Sequence, residues 1–168
     1  RPACDCPATR VNPPTTTQGT DAAKKIVGRK RSVVTDTLGL LLVVIVMAAS
    51  VTENHAGIEA FDQVNATYPT VVKAWVDAGF KNKFVEHAAT LGIDAEVVPR
   101  NTETRGCHVV KRRWVVERTL GWLMLHRRLA RDYETHPASS EAMIHIAMID
   151  NVSRRITDET TPTWRGTY

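Results

Sequence analysis

The sequence is poor in cysteine, carries no recognisable leader and has no apolar run long enough to cross a bilayer. Only three Cys occur in 168 residues, Cys4, Cys6 and Cys107, and an odd number this small argues against a disulfide framework. No charged segment followed by an apolar stretch and a small-residue cleavage site opens the chain, so a cytoplasmic location is expected. The apolar run Leu38 to Ala49 falls well short of the ~20 residues a bilayer requires. It reads as a buried strand, and no membrane partner is expected. Cys4 and Cys6 lack the usual chelating spacing and lie far in sequence from Cys107 and His108, which gives zinc little support. Gly (9) and Pro (8) are near average, which excludes collagenous and low-complexity classes. A chain of this length is expected to form one domain with a real core.

What is present is basic charge in two places. The net charge is +4, and most of the excess lies in "KKIVGRKR" (Lys24 to Arg31) and in the stretch from Arg100 to Arg131. Concentrated basic charge suggests an anionic partner such as nucleic acid; a solvated basic face is the bland alternative.

Along the chain, residues 1–23 are irregular, with at best a short opening strand. "SVVTDT" and "LGLLLVVIVMAAS" then read as a hairpin turning at Asp36 to Gly39. Its second strand is continuously apolar and so is expected to be covered on both faces. "NHAGIEAFDQVNATYP" reads as a short amphipathic helix stopped by proline. A strand from Thr70 to Asp77, a helix from Phe80 to Leu91 and a strand in "IDAEVVP" follow. A polar loop from Arg100 to Gly106 precedes a long helix over Lys111 to Arg131. A last helix runs from Ser139 to Ile156, with Ser residues and Glu141 as its expected start. Strands alternating with helices imply parallel pairing in the middle, and the hairpin implies antiparallel pairing. An α/β protein with a mixed sheet covered by helices is the expectation.

On a helical wheel Lys111 to Arg131 is apolar over most of its circumference, with Trp114, Val115, Trp122, Leu125 and Leu129 on one side, so the helix is expected to be largely buried. Arg113, Glu117, Gly121 and Arg128 fall in the narrow polar gap. Glu117 is then either an (i, i+4) ion-pair partner of Arg113 or a functional carboxylate. Asp77 ends a predicted parallel strand, where open α/β sheets place ligand-binding groups, or else caps the helix that follows. A hard-cation site needs a further oxygen ligand. Asp5, Asp21 and Asp36 are the upstream carboxylates, and Asp5 alone lies in a strand-like stretch.

Four blocks, "TDAAKKIVGRKRSVVTDTLGLLL", "VKAWVDAGF", "KRRWVVERTLGWL" and "RRLARDYETHPASSEAMIHIAMI", resemble in the same order the catalytic domain of bacterial insertion-sequence transposases of the DDE superfamily. The resemblance runs from Gly19 to about Arg155. It implies an RNase H-like fold, a mixed five-stranded sheet flanked by helices, with residues 1–157 as the catalytic domain, 158–168 as a disordered tail, and the family's N-terminal DNA-binding region absent. It implies an Asp-Asp-Glu triad at Asp5, Asp77 and Glu117 that holds two divalent ions, Mg2+ or Mn2+. The run after Asp5, "CDCPATRV", departs from the Ser-Gln-Ser-Val-Lys-like sequence usual there. An Arg four residues before the family's Glu matches Arg113 and implies a phosphate contact. The family's Tyr three residues earlier is Val110 here and its Lys seven after the Glu is Met124, with Arg127 or Arg128 as substitutes.

The partner implied is double-stranded DNA, at the element's ends and the target, with room for a homodimer in the DNA complex, working at the nucleoid of a bacterial cytoplasm. Lys24, Lys25, Arg29, Lys30, Arg31, Arg112, Arg113, Arg127 and Arg128 are the expected DNA contacts. Two other readings stay open: a catalytically inactive remnant that binds DNA without sequence preference, and a non-enzymatic module in which Asp77 is a cap and Glu117 an ion-pair partner.

Overall fold

A computed structural model describes residues 17–22, 25–80, 82–98 and 111–159. Asp5, Lys24 and most of the expected tail lie outside the described residues. The elements are, in order, β1 (Gly19–Thr20), β2 (Val27–Thr35), β3 (Leu41–Ala48), α1 (Glu53–Thr67), β4 (Lys73–Asp77), α2 (Asn82–Thr90), β5 (Asp94–Val98), α3 (Lys111–Met124), α4 (Arg127–Ala130) and α5 (Pro137–Ile156).

The hairpin forms where the β-branched runs place it. β2 and β3 pair antiparallel from Arg29 opposite Ala48 to Thr35 opposite Leu41, with an irregularity between Val34 and Thr35. Asp36 makes the turn by accepting the Leu38 and Leu40 N–H groups on Oδ1 at 2.9 and 2.7 Å, which is why aspartate suits this corner. Gly39 follows at φ +85°, and a Cβ there would lie 2.8 Å from Thr119 Oγ1. Only glycine meets both demands at no steric cost.

β4 and β5 pair parallel, with Asp77 opposite Val98. Both expected pairing modes are present, but among the described residues they form two sheets, the three-stranded β1-β2-β3 and the two-stranded β4-β5.

β3 faces two cores. Val43 and Ile45 pack with Ala60, Phe61 and Val64 of α1, Val76 of β4, and Phe84 and Ala88 of α2. Val44 and Val46 pack on the other side with Leu123 of α3, Leu129 of α4, and Ile144, Ala147 and Met148 of α5. An unbroken apolar strand is the sequence of a strand buried on both faces.

Three expectations are corrected. The helix opening at Lys111 does not run through to Arg131. Leu125 N–H bonds to Trp122 O at 3.2 Å and His126 N–H to Leu123 O at 3.1 Å, a tightened last turn that ends α3. The chain then redirects so that Leu129 is buried. Nor is α3 largely buried, because Trp114 and Met124 are 44% and 43% exposed. Finally, α5 begins at Pro137, a favoured first helical residue. Glu141 serves elsewhere, its Oε1 accepting Val46 N–H of β3 at 2.8 Å.

Arg29 and Arg31 also depart from the expected DNA surface. Arg29 is fully buried. Its Nη1 donates to Asp132 Oδ2 at 3.2 Å and Glu134 O at 3.0 Å, and its Nη2 to Thr17 Oγ1 and Thr135 O, both at 2.7 Å. Arg31, two residues on and so on the same strand face, is buried and donates to Leu129 O at 2.8 Å. Both guanidiniums tie β2 to the segment around α4, and neither is placed to meet a phosphate. Between them in sequence, Lys30 pairs with Asp21 at 3.2 Å. Of the described Lys and Arg residues in this run, Lys25 is the exposed one.

Asp132→Ala should therefore destabilise the fold by about 3 to 5 kcal/mol, the usual result of leaving a buried charge without its partner. Arg128→Ala, which breaks an exposed pair with Glu134, should cost no more than about 1 kcal/mol. Denaturant midpoints measure both, and similar small losses for the two variants would contradict the role given to Arg29.

Candidate metal and DNA site

Asp77 is the last residue of β4, and the polypeptide turns away immediately after it. Its Oδ1 accepts Ala78 N–H at 2.7 Å, and its carbonyl accepts Phe80 N–H at 3.0 Å. α2 starts only at Asn82, so Asp77 is too far upstream to cap it. Oδ2 is left facing α3.

There it meets Arg113, whose Nη2 lies 3.5 Å from Asp77 Oδ2 and whose Nε lies 4.0 Å from Glu117 Oε1. The sequence distance of four brings Arg113 and Glu117 onto one helix face, and the end of β4 supplies the other carboxylate. Both carboxylate side chains are 30% exposed and the Arg113 side chain 15%. Asp77 and Glu117 thus both approach Arg113 in a partly open setting. That donor set suits a hard divalent ion, which takes carboxylate oxygens and keeps several waters. Among the described residues no group of three His, Cys, Asp or Glu side chains is placed to hold a metal. Asp5, the expected third ligand, lies outside them.

Next to this pair is a cluster that sequence reasoning missed. Lys73, Trp75 and Asp77 alternate along β4 and so share a face, and Trp75 stands opposite Glu96 of β5. Glu96 accepts Trp75 Nε1–H at 3.0 Å and Arg112 Nη1–H at 2.7 Å, and it pairs with Lys73 at 3.2 Å. The Arg112 guanidinium lies 4.5 Å from the Trp75 ring centre, a cation–π contact. The Lys73 ammonium beside Glu96, helped by the Trp75 N–H and the Arg112 charge, holds the Glu96 carboxyl below the usual glutamate range. Asp94 and Glu96 hold the Lys73 ammonium above its own ordinary value. The period-two spacing back from Asp77 was the available signal. The cross-strand register that delivers Glu96 was not visible in sequence.

Arg112 and Arg113 are neighbours in sequence with different circumstances. Arg112 is tied down by a short hydrogen bond and a ring, whereas Arg113 lies between two carboxylates at distances longer than hydrogen bonds. Arg127 and Arg128 are exposed and line a depression of about 450 Å³ with Leu129, Ile146, Asp150 and Arg154. Neither Asp77 nor Glu117 lines that depression. Asp150 there is bonded to Arg154 at 3.0 Å, and that hydrogen bond holds its carboxyl below the usual range.

No helix among the described residues is long and apolar enough to cross a membrane. Comparison with known proteins gives one positive result. A family model described as the transposase DDE domain matches residues 8–152, most of the chain, beginning three residues after Asp5. No curated protein and no solved structure matches. The matched span includes β4 with Asp77 and α3 with Glu117, and its extent is decisive: this chain belongs to the transposase DDE domain family.

Proposed function

We propose that the chain is the catalytic domain of an insertion-sequence transposase, which cuts DNA at the element's ends and joins the freed 3′-hydroxyl to target DNA. The observation that carries this reading is the approach of both Asp77 and Glu117 to Arg113 at the carboxyl end of β4. Asp77 and Glu117 would bind two divalent ions, Mg2+ or Mn2+, with Asp5 as third ligand. Negative ligands shared between ions about 3.5 to 4 Å apart offset the repulsion between them. When bound, such ions activate the attacking oxygen and stabilise the leaving one.

The chain's own residues do the rest. Asp77 is fixed at a strand end by its bond to Ala78 N–H. Glu117 is presented from a helix, so neither carboxylate depends on a mobile loop for its position. Arg113 is one turn from Glu117 and would seat the phosphate under attack, and the exposed Lys25, Arg127 and Arg128 would supply non-specific phosphate contacts. In this reading the fold is RNase H-like, the two sheets belong to one five-stranded sheet, and the protein works on double-stranded DNA, as a homodimer at the nucleoid.

A second reading has one observation in its favour. The family match starts after Asp5, and the run following Asp5 departs from the family's usual sequence, as a remnant that binds DNA without cutting it would allow. Metal titration separates the two, because the remnant reading gives no Mn2+ binding that depends on Asp77.

Asp77→Asn and Glu117→Gln should each abolish Mn2+-dependent cleavage of the element's end DNA, by orders of magnitude in rate, while DNA affinity stays within about threefold. Cleavage by either variant at the wild-type rate defeats the proposal.

Glu96→Gln should strengthen non-specific DNA binding, since it removes a carboxylate that occupies Arg112 and Lys73. Freeing one phosphate contact should steepen the dependence of log K on log salt by about one unit. A slope unchanged from wild type would show that Arg112 and Lys73 lie outside the DNA footprint.

A further inference from the structure

Arg113 is held between the two carboxylates, and the manner of its holding is unusual. A guanidinium is always charged and presents a planar fork that normally binds carboxylate through two parallel hydrogen bonds. Here it does not. Nη2 and Nε point to different carboxylates, at 3.5 and 4.0 Å, both beyond hydrogen-bond range. The fork is split between Asp77 and Glu117, and geometry is given up with each in order to neutralise both. Arg112 beside it makes a 2.7 Å bond to Glu96, so close pairing of arginine with carboxylate is available in this neighbourhood.

We propose that Arg113 is a displaceable counter-cation, which offsets the repulsion between Asp77 and Glu117 until a divalent ion takes its place and is then free to bind a DNA phosphate. The inference rests on the transposase reading and adds an order of events to it. Divalent ions of the Mg2+ class sit about 2.1 Å from carboxylate oxygen, and Asp77 Oδ1 is already engaged by Ala78 N–H. Oδ2 is the oxygen nearest Arg113, and there the ion and Arg113 would compete. A cation arriving there repels the guanidinium, and no hydrogen bond to either carboxylate holds it back.

Arg113 is rooted one turn before Glu117, so a change of side-chain rotamer moves its fork out of the pair without moving α3. A phosphate, unlike the two separated carboxylates, accepts the fork bidentately. Metal binding then makes Arg113 available to DNA, and DNA binding holds Arg113 away from the metal ligands. By linkage each ligand must tighten the other to the same degree.

The test is a Mn2+ titration of the full chain by calorimetry, with and without a random-sequence duplex, for wild type, Arg113→Gln and Arg113→Lys. Without DNA, Arg113→Gln should bind Mn2+ about tenfold more tightly than wild type, the order expected for removing one unit charge a few ångströms away in a partly solvated site. The duplex should tighten Mn2+ binding in wild type and do so much less in Arg113→Gln. Arg113→Lys keeps the charge and should stay within about twofold of wild type without DNA.

Three results overturn the inference while leaving the transposase reading intact: Arg113→Gln binding Mn2+ no more tightly than wild type, Arg113→Lys tightening as much as Arg113→Gln, or a duplex without effect on wild-type Mn2+ affinity. A wild-type chain that binds no Mn2+, or an Asp77→Asn variant that binds it equally well, overturns both.

Discussion

A strand covered on both faces obliges the chain to place helices on two sides of it, and β3 is that strand. Val43 and Ile45 need one layer and Val44 and Val46 another. α1 and α2 answer the first demand, and α3, α4 and α5 the second. The position of the site follows, because α3 is drawn to the hairpin through Leu123 and through Thr119, whose hydroxyl donates to Gly39 O at 2.7 Å. β4 is fixed from the opposite layer through Val76. Asp77 ends the one and Glu117 rides on the other, so the two carboxylates meet because the two layers do.

The electrostatics of the region show arginine in three different uses. Arg29 is structural, its guanidinium engaged by one carboxylate, two carbonyls and a hydroxyl deep in the protein. Arg112 is held at the surface by Glu96 and Trp75. Arg113 is shared between two carboxylates and closely bonded to neither. Sequence alone presents these as members of one basic excess. The partner each meets decides whether it serves the fold, the surface or the site.

The hairpin, the helix that follows it and the parallel pair were legible in the sequence because their signals are local: β-branched runs, apolar spacing, and a turn aspartate beside glycine. The placement of Asp77 at a strand end and of Glu117 one helical turn from Arg113 was legible as well, and the family resemblance suggested that the two belong together. What could not be read depends on distant partners. Asp132 lies 103 residues from Arg29, and nothing in "RLARDYETH" marks it as the partner of a strand residue. The break after Met124 has no proline or glycine to announce it and arises because Leu129 packs under α5. The exposure of Trp114, Met124 and Leu125 was hidden for a related reason: an apolar wheel shows which faces could be buried, and only the neighbouring elements decide which are.

The central claim is that Asp77 and Glu117 are ligands of the same divalent site, and direct observation of the metal tests it best. An anomalous difference map from crystals of this chain soaked in Mn2+ should show density about 2.1 Å from a carboxylate oxygen of Asp77 and of Glu117, with the Arg113 guanidinium moved from between them. Mn2+ bound elsewhere, with Arg113 still bridging the two carboxylates, would contradict the account.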